Sequence, residues 1–133
     1  MTLVKSKVGL GGIKNFSSLT KLADLKYLEI WQVRGLTDIE FLSQLETLQF
    51  LFLQSLPQIT KFPDLKNCKN LRRIVMENMK VLKDFTGIKC APNLKEFCIA
   101  QANKQEVDDL LPVLEVVGLE KAGAYFGNDQ KSN

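Results

Sequence analysis

A recurrence constrains this chain more than anything else in it. The apolar string Leu25, Leu28, Ile30, Val33 returns as Leu48, Leu51, Leu53, Leu56, then as Leu71, Ile74, Met76, Met79, and again as Leu94, Phe97, Ile99, Ala102, each time 23 residues further on. A fixed period of this size means one small unit copied along the chain, because a unit so short cannot bury its apolar edge without a neighbour. Within each unit the spacing changes once. Leu28 and Ile30 are two apart, which puts both side chains on one face of a strand. The apolar positions then fall three apart: Val33, Leu36, Ile39, Leu42, Leu45 in the first unit; Leu56, Ile59, Phe62, Leu65, Cys68 in the second; Met79, Leu82, Phe85, Ile88, Ala91 in the third. A step of three suits 3₁₀ turns or an irregular arc facing a single core. Each unit is therefore one strand and one return arc, and the strands must stack in a parallel sheet about 4.8 Å apart.

The two ends depart from the pattern. Val4, Ser6 and Val8 alternate with Lys5 and Lys7, as a strand with one solvated face does. Ile13, Phe16, Leu19 and Leu22 lead by threes into Leu25, so residues 1–24 read as a degenerate first repeat that caps the stack. The intervening Gly9, Gly11 and Gly12 lack the order and the lysine of a phosphate-cradling loop. Residues 25–102 are the regular repeats, and residues 103–127 read as a helix plus a final strand. Asn103 with Glu106 resembles a capping box, and Val107, Leu110, Leu111 and Leu114 share one helical face. Pro112 is expected to kink or end that helix near Leu111. Leu114, Val117 and Leu119 repeat the strand string 20 residues after Leu94, Tyr125 and Phe126 are expected to cover the end of the core, and residues 128–133 to form a mobile tail.

Composition narrows the function classes. The 133 residues suffice for one domain, and a net charge of +3 with lysine and arginine scattered among acids is not the clustered basic stripe of a nucleic-acid binder. No apolar run is long enough to cross a bilayer, and residues 1–12 lack a secretory apolar core, so a cytoplasmic chain without membrane contact is expected. Histidine is absent and Cys68, Cys90 and Cys98 have no metal-ligand spacing, so no metal, cofactor or disulfide framework is expected. Cys68 and Cys90 read as fillers of neighbouring arcs. The chain lacks a nucleophile motif, and the only candidate carboxylate pair, Glu29 and Glu77, comes from strands two apart, about 10 Å by strand spacing. It does not read as an enzyme.

The string L-x-x-L-x-L at this period, over roughly Ile13 to Ala102, resembles the leucine-rich repeat family. The resemblance implies an α/β solenoid with a curved parallel sheet on its concave face and irregular, 3₁₀ or short helical arcs on its convex face. It also implies binding of a protein or peptide. Leu36 to Ile39 and the Pro63 and Pro92 positions resemble arcs of the cysteine-containing and plant resistance-type repeats. Where the family carries asparagine or cysteine after the strand, this chain has Val33, Leu56, Met79 and Ala102, so the turn must satisfy its backbone groups by other means.

In-register stacking turns the side chains between the core positions into columns. Tyr27, Phe50, Arg73 and Glu96 form one column, Glu29, Phe52, Val75 and Cys98 the next, and Trp31, Gln54, Glu77 and Ala100 the last; Lys26, Gln49, Arg72 and Lys95 precede them. Tyr27, Trp31, Phe50 and Phe52 thus project from two adjacent strands on the face away from the core. Clustered aromatics on such a face mark partner sites, since rigid rings bury large area at low entropic cost. Glu29, Arg73, Glu77 and Glu96 would supply the polar rim. The expected partner is a protein or peptide; the alternative is self-association, as a homodimer or through coverage by the chain's own terminal segment. Phe41, on the arc side, reads as ordinary surface.

Overall fold

The two spacings each become one buried stripe. The computed structural model describes residues 4–9 and 25–125. The expected arc over Ile13 to Leu22, Phe126 and the tail over 128–133 lie outside the described residues. Strands β1 (Val4–Gly9), β2 (Leu25–Trp31), β3 (Phe50–Gln54), β4 (Arg73–Glu77), β5 (Glu96–Ala100) and β6 (Lys121–Ala124) form one parallel sheet in sequential order. One helix, α1 (Val107–Leu114), precedes β6. Tyr27 pairs with Phe50, Phe50 with Arg73 and Arg73 with Glu96, so each of these steps is one period of the sequence. The chain is an α/β protein built on a parallel sheet with little helix.

Leu28, Ile30, Leu51, Leu53, Ile74, Met76, Phe97 and Ile99 point from the strands into the core, and none is more than 4% exposed. The step of three closes the other side: Leu56, Ile59, Phe62, Leu65 and Cys68 are all fully buried, as are Leu82, Phe85 and Ile88. Burial of each such side chain contributes about 1.5–3 kcal/mol against leaving it in water, which is why the period is so strict. Two 3₁₀ segments, Glu40–Gln44 and Thr86–Cys90, carry the expected tight arcs. Each begins where an aspartate side chain accepts a backbone N–H two residues on, from Glu40 to Asp38 and from Thr86 to Asp84, both 3.0 Å. Neighbouring arcs are tied through Phe62 N to Asp84 O (2.9 Å) and Leu65 N to Gly87 O (3.1 Å). Gly87 is obligatory at that approach, because a Cβ there would stand 1.9 Å from Pro63 O.

The missing asparagine positions have a structural counterpart one residue earlier. Gln32, Ser55, Asn78 and Gln101, again one period apart, all take left-handed backbone angles with φ of 57°, 53°, 55° and 52°. This turn aims the N–H of Gln32 at Gln54 O (2.9 Å), of Ser55 at Glu77 O (3.0 Å) and of Asn78 at Ala100 O (3.1 Å), so backbone rungs to the next strand end do the satisfying. Asn78 Nδ2 adds a side-chain rung to Ser55 Oγ at 2.9 Å. Gln105, in the place of Ile59 and Leu82, is the one buried polar side chain among the described residues. Its Nε2 donates to Met79 O (2.5 Å) and Leu82 O (2.8 Å), closing two carbonyls of the preceding arc.

The C-terminal expectations need four corrections. The capping box is formed by Glu106 and Asp109, with Glu106 N donating to Asp109 Oδ2 at 2.9 Å; Gln105 holds Asn103 and the following turn in the arc path and delays the helix. Pro112 does not end α1 near Leu111: the helix runs two residues past the proline to Leu114, and the proline removes a single backbone donor from it. The helix buries Val113 and half-buries Leu110, leaving Val107 and Leu114 70% and 66% exposed. The last strand is Lys121–Ala124 and not the Leu114 to Leu119 string. Helix α1 consumes more chain than an arc, a turn at Gly118 (φ +83°) follows, and Glu96 pairs with Lys121, a step of 25. Leu119, not Leu114, takes the place of Leu94, and Ala122 and Ala124 stand opposite Phe97 and Ile99. Tyr125 does not cover the core end; it is 56% exposed and its ring lies over Gly123. Two arc residues also differ: Cys90 is exposed, while Phe41 is half-buried against the core.

Candidate functional site

The residues that alternate with the core positions occupy the other face of the sheet, which no element covers among the described residues. The pairing places Tyr27, Phe50, Arg73, Glu96 and Lys121 in one row. Glu29, Phe52, Val75, Cys98 and Gly123 make a second, and Trp31, Gln54, Glu77 and Ala100 a third. All eight candidate residues, Tyr27, Glu29, Trp31, Phe50, Phe52, Arg73, Glu77 and Glu96, therefore lie on one surface. Seven are half-buried, and Arg73 is exposed.

Contacts along the rows explain that half-burial. The rings of Tyr27 and Phe50 stack at 4.5 Å between centroids, 23° from parallel. Arg73 lies over the other side of Phe50, its Cζ 5.3 Å from the ring centroid, and its Nε approaches Glu96 Oε2 at 3.5 Å. The first row is thus a continuous stack of ring, ring, guanidinium and carboxylate. Tyr27 donates its hydroxyl to Glu29 Oε2 at 2.5 Å, a bond that, with burial, holds the phenol above its ordinary pKa. Gln54 donates its side-chain amide to Glu77. Among the described residues, Phe52 and Trp31 enter no ring–ring or cation–ring contact, so these two rings are the least committed on the face.

The surface is graded across the strands. The second row shrinks from Phe52 through Val75 and Cys98 to Gly123, so an aromatic ridge over β2 and β3 gives way to a hollow of about 510 Å³ over β5 and β6. Arg73, Glu96, Lys121 and Cys98 line this hollow, and the Tyr125 ring occupies the space over Gly123 on its β6 side. Burial pushes the Cys98 thiol above its ordinary pKa while Arg73 pulls the other way, so the thiol is not activated. Glu29 and Glu77 engage different partners, Tyr27 and Gln54, and Phe52 and Gln54 stand on the strand between them, so they do not converge as a carboxylate pair. Among the described residues no group of three or more acidic or cysteine side chains is arranged to hold a metal ion, and no helix is long and apolar enough to cross a membrane.

A second polar surface was not singled out by the sequence. The left-handed residues Gln32, Ser55 and Asn78, with Arg34, Pro57 and Lys80 two positions further on, line a groove of about 310 Å³ at the carboxyl ends of β2 to β4. The signal for it was present: polar residues recur one period apart directly after each strand, the place where a turn needs positive φ. No protein-family model matches this chain, and no curated protein matches it significantly.

Proposed function

We propose that the chain is a leucine-rich repeat solenoid that recognises a partner protein or peptide on the uncovered face of its parallel sheet. The single observation that carries the reading is the asymmetry of that sheet. One face is sealed by arcs, while the other presents Tyr27, Phe50, Phe52 and Trp31 side by side with no element of the described residues laid over it. A ring that projects from a hydrogen-bonded strand loses little freedom on contact, so such a row is preorganised for binding. The four-residue recurrence, the sequential parallel sheet and the repeated left-handed turns support the repeat reading. The hollow over Cys98 beside the aromatic ridge offers a partner a place for a protruding side chain. Three unpaired cysteines fit a reducing compartment, in keeping with a cytoplasmic setting.

A second reading is self-association. It is favoured by the exposed Val107, Leu111 and Leu114 of α1 beside β6, whose outer edge no strand among the described residues pairs, a combination that invites pairing with another chain. The readings separate in an affinity capture that compares the unmodified chain with a Trp31→Ala, Phe52→Glu variant, run alongside sedimentation of each protein alone. Hetero-recognition requires a protein retained only by the unmodified chain, which sediments as a monomer. A dimer of the unmodified chain that persists in that variant but is dispersed by Leu111→Glu, Leu114→Glu would establish self-association instead, and identical retained sets would remove the face from consideration.

A further inference from the structure

From the groove at the strand ends we infer a second ligand site, one that takes an extended acidic peptide by its carboxylates. Three features of the six lining residues carry this. The first is charge: Arg34 and Lys80 flank the groove, none of the lining residues is acidic, and neither cation has a hydrogen-bond or ion-pair partner among the described residues. The register puts them two units apart with Pro57 between, a span of about 10 Å at 4.8 Å per strand. This matches two acidic side chains of one extended segment, at about 3.3 Å per residue, better than a single small ion.

The second feature is the direction of the hydrogen bonds. Asn78 Nδ2 donates to Ser55 Oγ at 2.9 Å, which occupies the serine as acceptor and leaves its hydroxyl hydrogen for an acceptor in the groove. With the guanidinium of Arg34 and the ammonium of Lys80, the groove is rich in donors and suits a ligand made of acceptors. The third feature decides which anion. The backbone N–H groups of Gln32, Ser55 and Asn78, which a phosphate nest would need, are all taken by Gln54, Glu77 and Ala100. What remains is two long cations and an apolar floor made by the Pro57 ring and the side-chain stems. Such a floor accommodates a polypeptide, with the carboxylates held at its borders.

The groove and the aromatic row are separate surfaces, and the peptide needs neither Phe52 nor Trp31. The test is fluorescence polarisation with a short labelled peptide of Glu-Ala-Ala repeats, whose glutamates recur about 9 Å apart on one side of an extended polyproline II chain, at low salt, on the full protein. Binding is expected to weaken about tenfold in Arg34→Ala, Lys80→Ala, the range two solvent-accessible charge contacts supply, and to weaken with added salt. Phe52→Ala is expected to leave it unchanged, as is Lys66→Ala, Lys69→Ala, which removes the same charge from exposed positions elsewhere. Equal losses in the two lysine-containing double variants would reduce the site to general charge attraction and overturn it. So would equal affinity for a peptide with glutamine in place of glutamate, or no binding to the unmodified chain. Displacement of the peptide by inorganic phosphate at low concentration would overturn the choice of a carboxylate peptide.

Discussion

Adjacent residues of β3 provide the sharpest contrast in the molecule. Leu53 is fully buried between Ile30 and Met76, whereas its neighbour Phe52 is half-buried on the uncovered face between Glu29 and Val75. Leu53→Ala removes three heavy atoms from a closed site and leaves a cavity, at a cost of about 3–4 kcal/mol. Phe52→Ala removes a larger side chain, yet the part already in water does not count and an open face leaves no closed cavity, so about 1 kcal/mol is expected. In a domain of this length 1 kcal/mol moves the thermal midpoint by about 3–5 °C. Leu53→Ala should thus lower the midpoint by about 10–15 °C, and Phe52→Ala by less than about 5 °C. The assay is a far-UV circular dichroism melt of each variant, supported by urea titration with an unchanged slope. Equal losses, or a larger loss at Phe52, would mean that the ring is core and that the face proposed for recognition is already occupied.

Three further outcomes follow from particular contacts. Gly87→Ala sets a Cβ 1.9 Å from Pro63 O and 2.7 Å from Phe62 O, so at least about 2 kcal/mol should be lost; a urea midpoint close to the unmodified protein's would show that the arcs separate freely. Gln101→Gly relieves a positive φ on an exposed residue and should raise stability by about 0.5 kcal/mol, while Asn78→Gly should not, because it severs the bond to Ser55; destabilisation at Gln101 would argue against the strain account. Burial pushes the Cys68 thiol up to about 11 from 9.0, so between those values the unfolded chain releases a proton that the folded chain keeps, and stability falls as pH rises. Cys68→Ala should flatten that fall in urea midpoints compared across the window, and an identical slope in the variant would exclude the thiol as its cause.

The parts of the fold written in apolar spacing were legible in the sequence. Leu28, Ile30 and their equivalents could only be one strand face, and the run from Leu56 to Cys68 could only be an arc, because any other arrangement exposes most of the core. The rows on the uncovered face followed from the same period, and the pairing of Tyr27, Phe50, Arg73 and Glu96 matches them. Legibility failed where a residue type overrode the spacing. Gln105 sits in an apolar position and is tolerated only because it closes two carbonyls, a role no periodicity reveals. Leu114 and Val117 continued the repeat string, yet α1 required more chain than an arc, so Leu119 took the core position and the two leucine-like positions became Ala122 and Ala124. The strand-end groove was missed for a related reason. Gln32, Ser55, Asn78 and Gln101 recur as polar residues one period apart, but the left-handed backbone that turns this recurrence into a groove is visible only in the turn they form.

Trp31 is the chain's only tryptophan and stands in the aromatic row, so its emission reports directly on the claim that this face is where a partner binds. The decisive measurement is a titration of the chain with the protein retained in affinity capture, following Trp31 emission and its quenching by iodide. Recognition on the face requires a blue shift and protection from iodide that saturate with binding and vanish in Phe52→Glu. Binding that leaves both the emission and the quenching of Trp31 unchanged would contradict the account and place the partner elsewhere on the molecule.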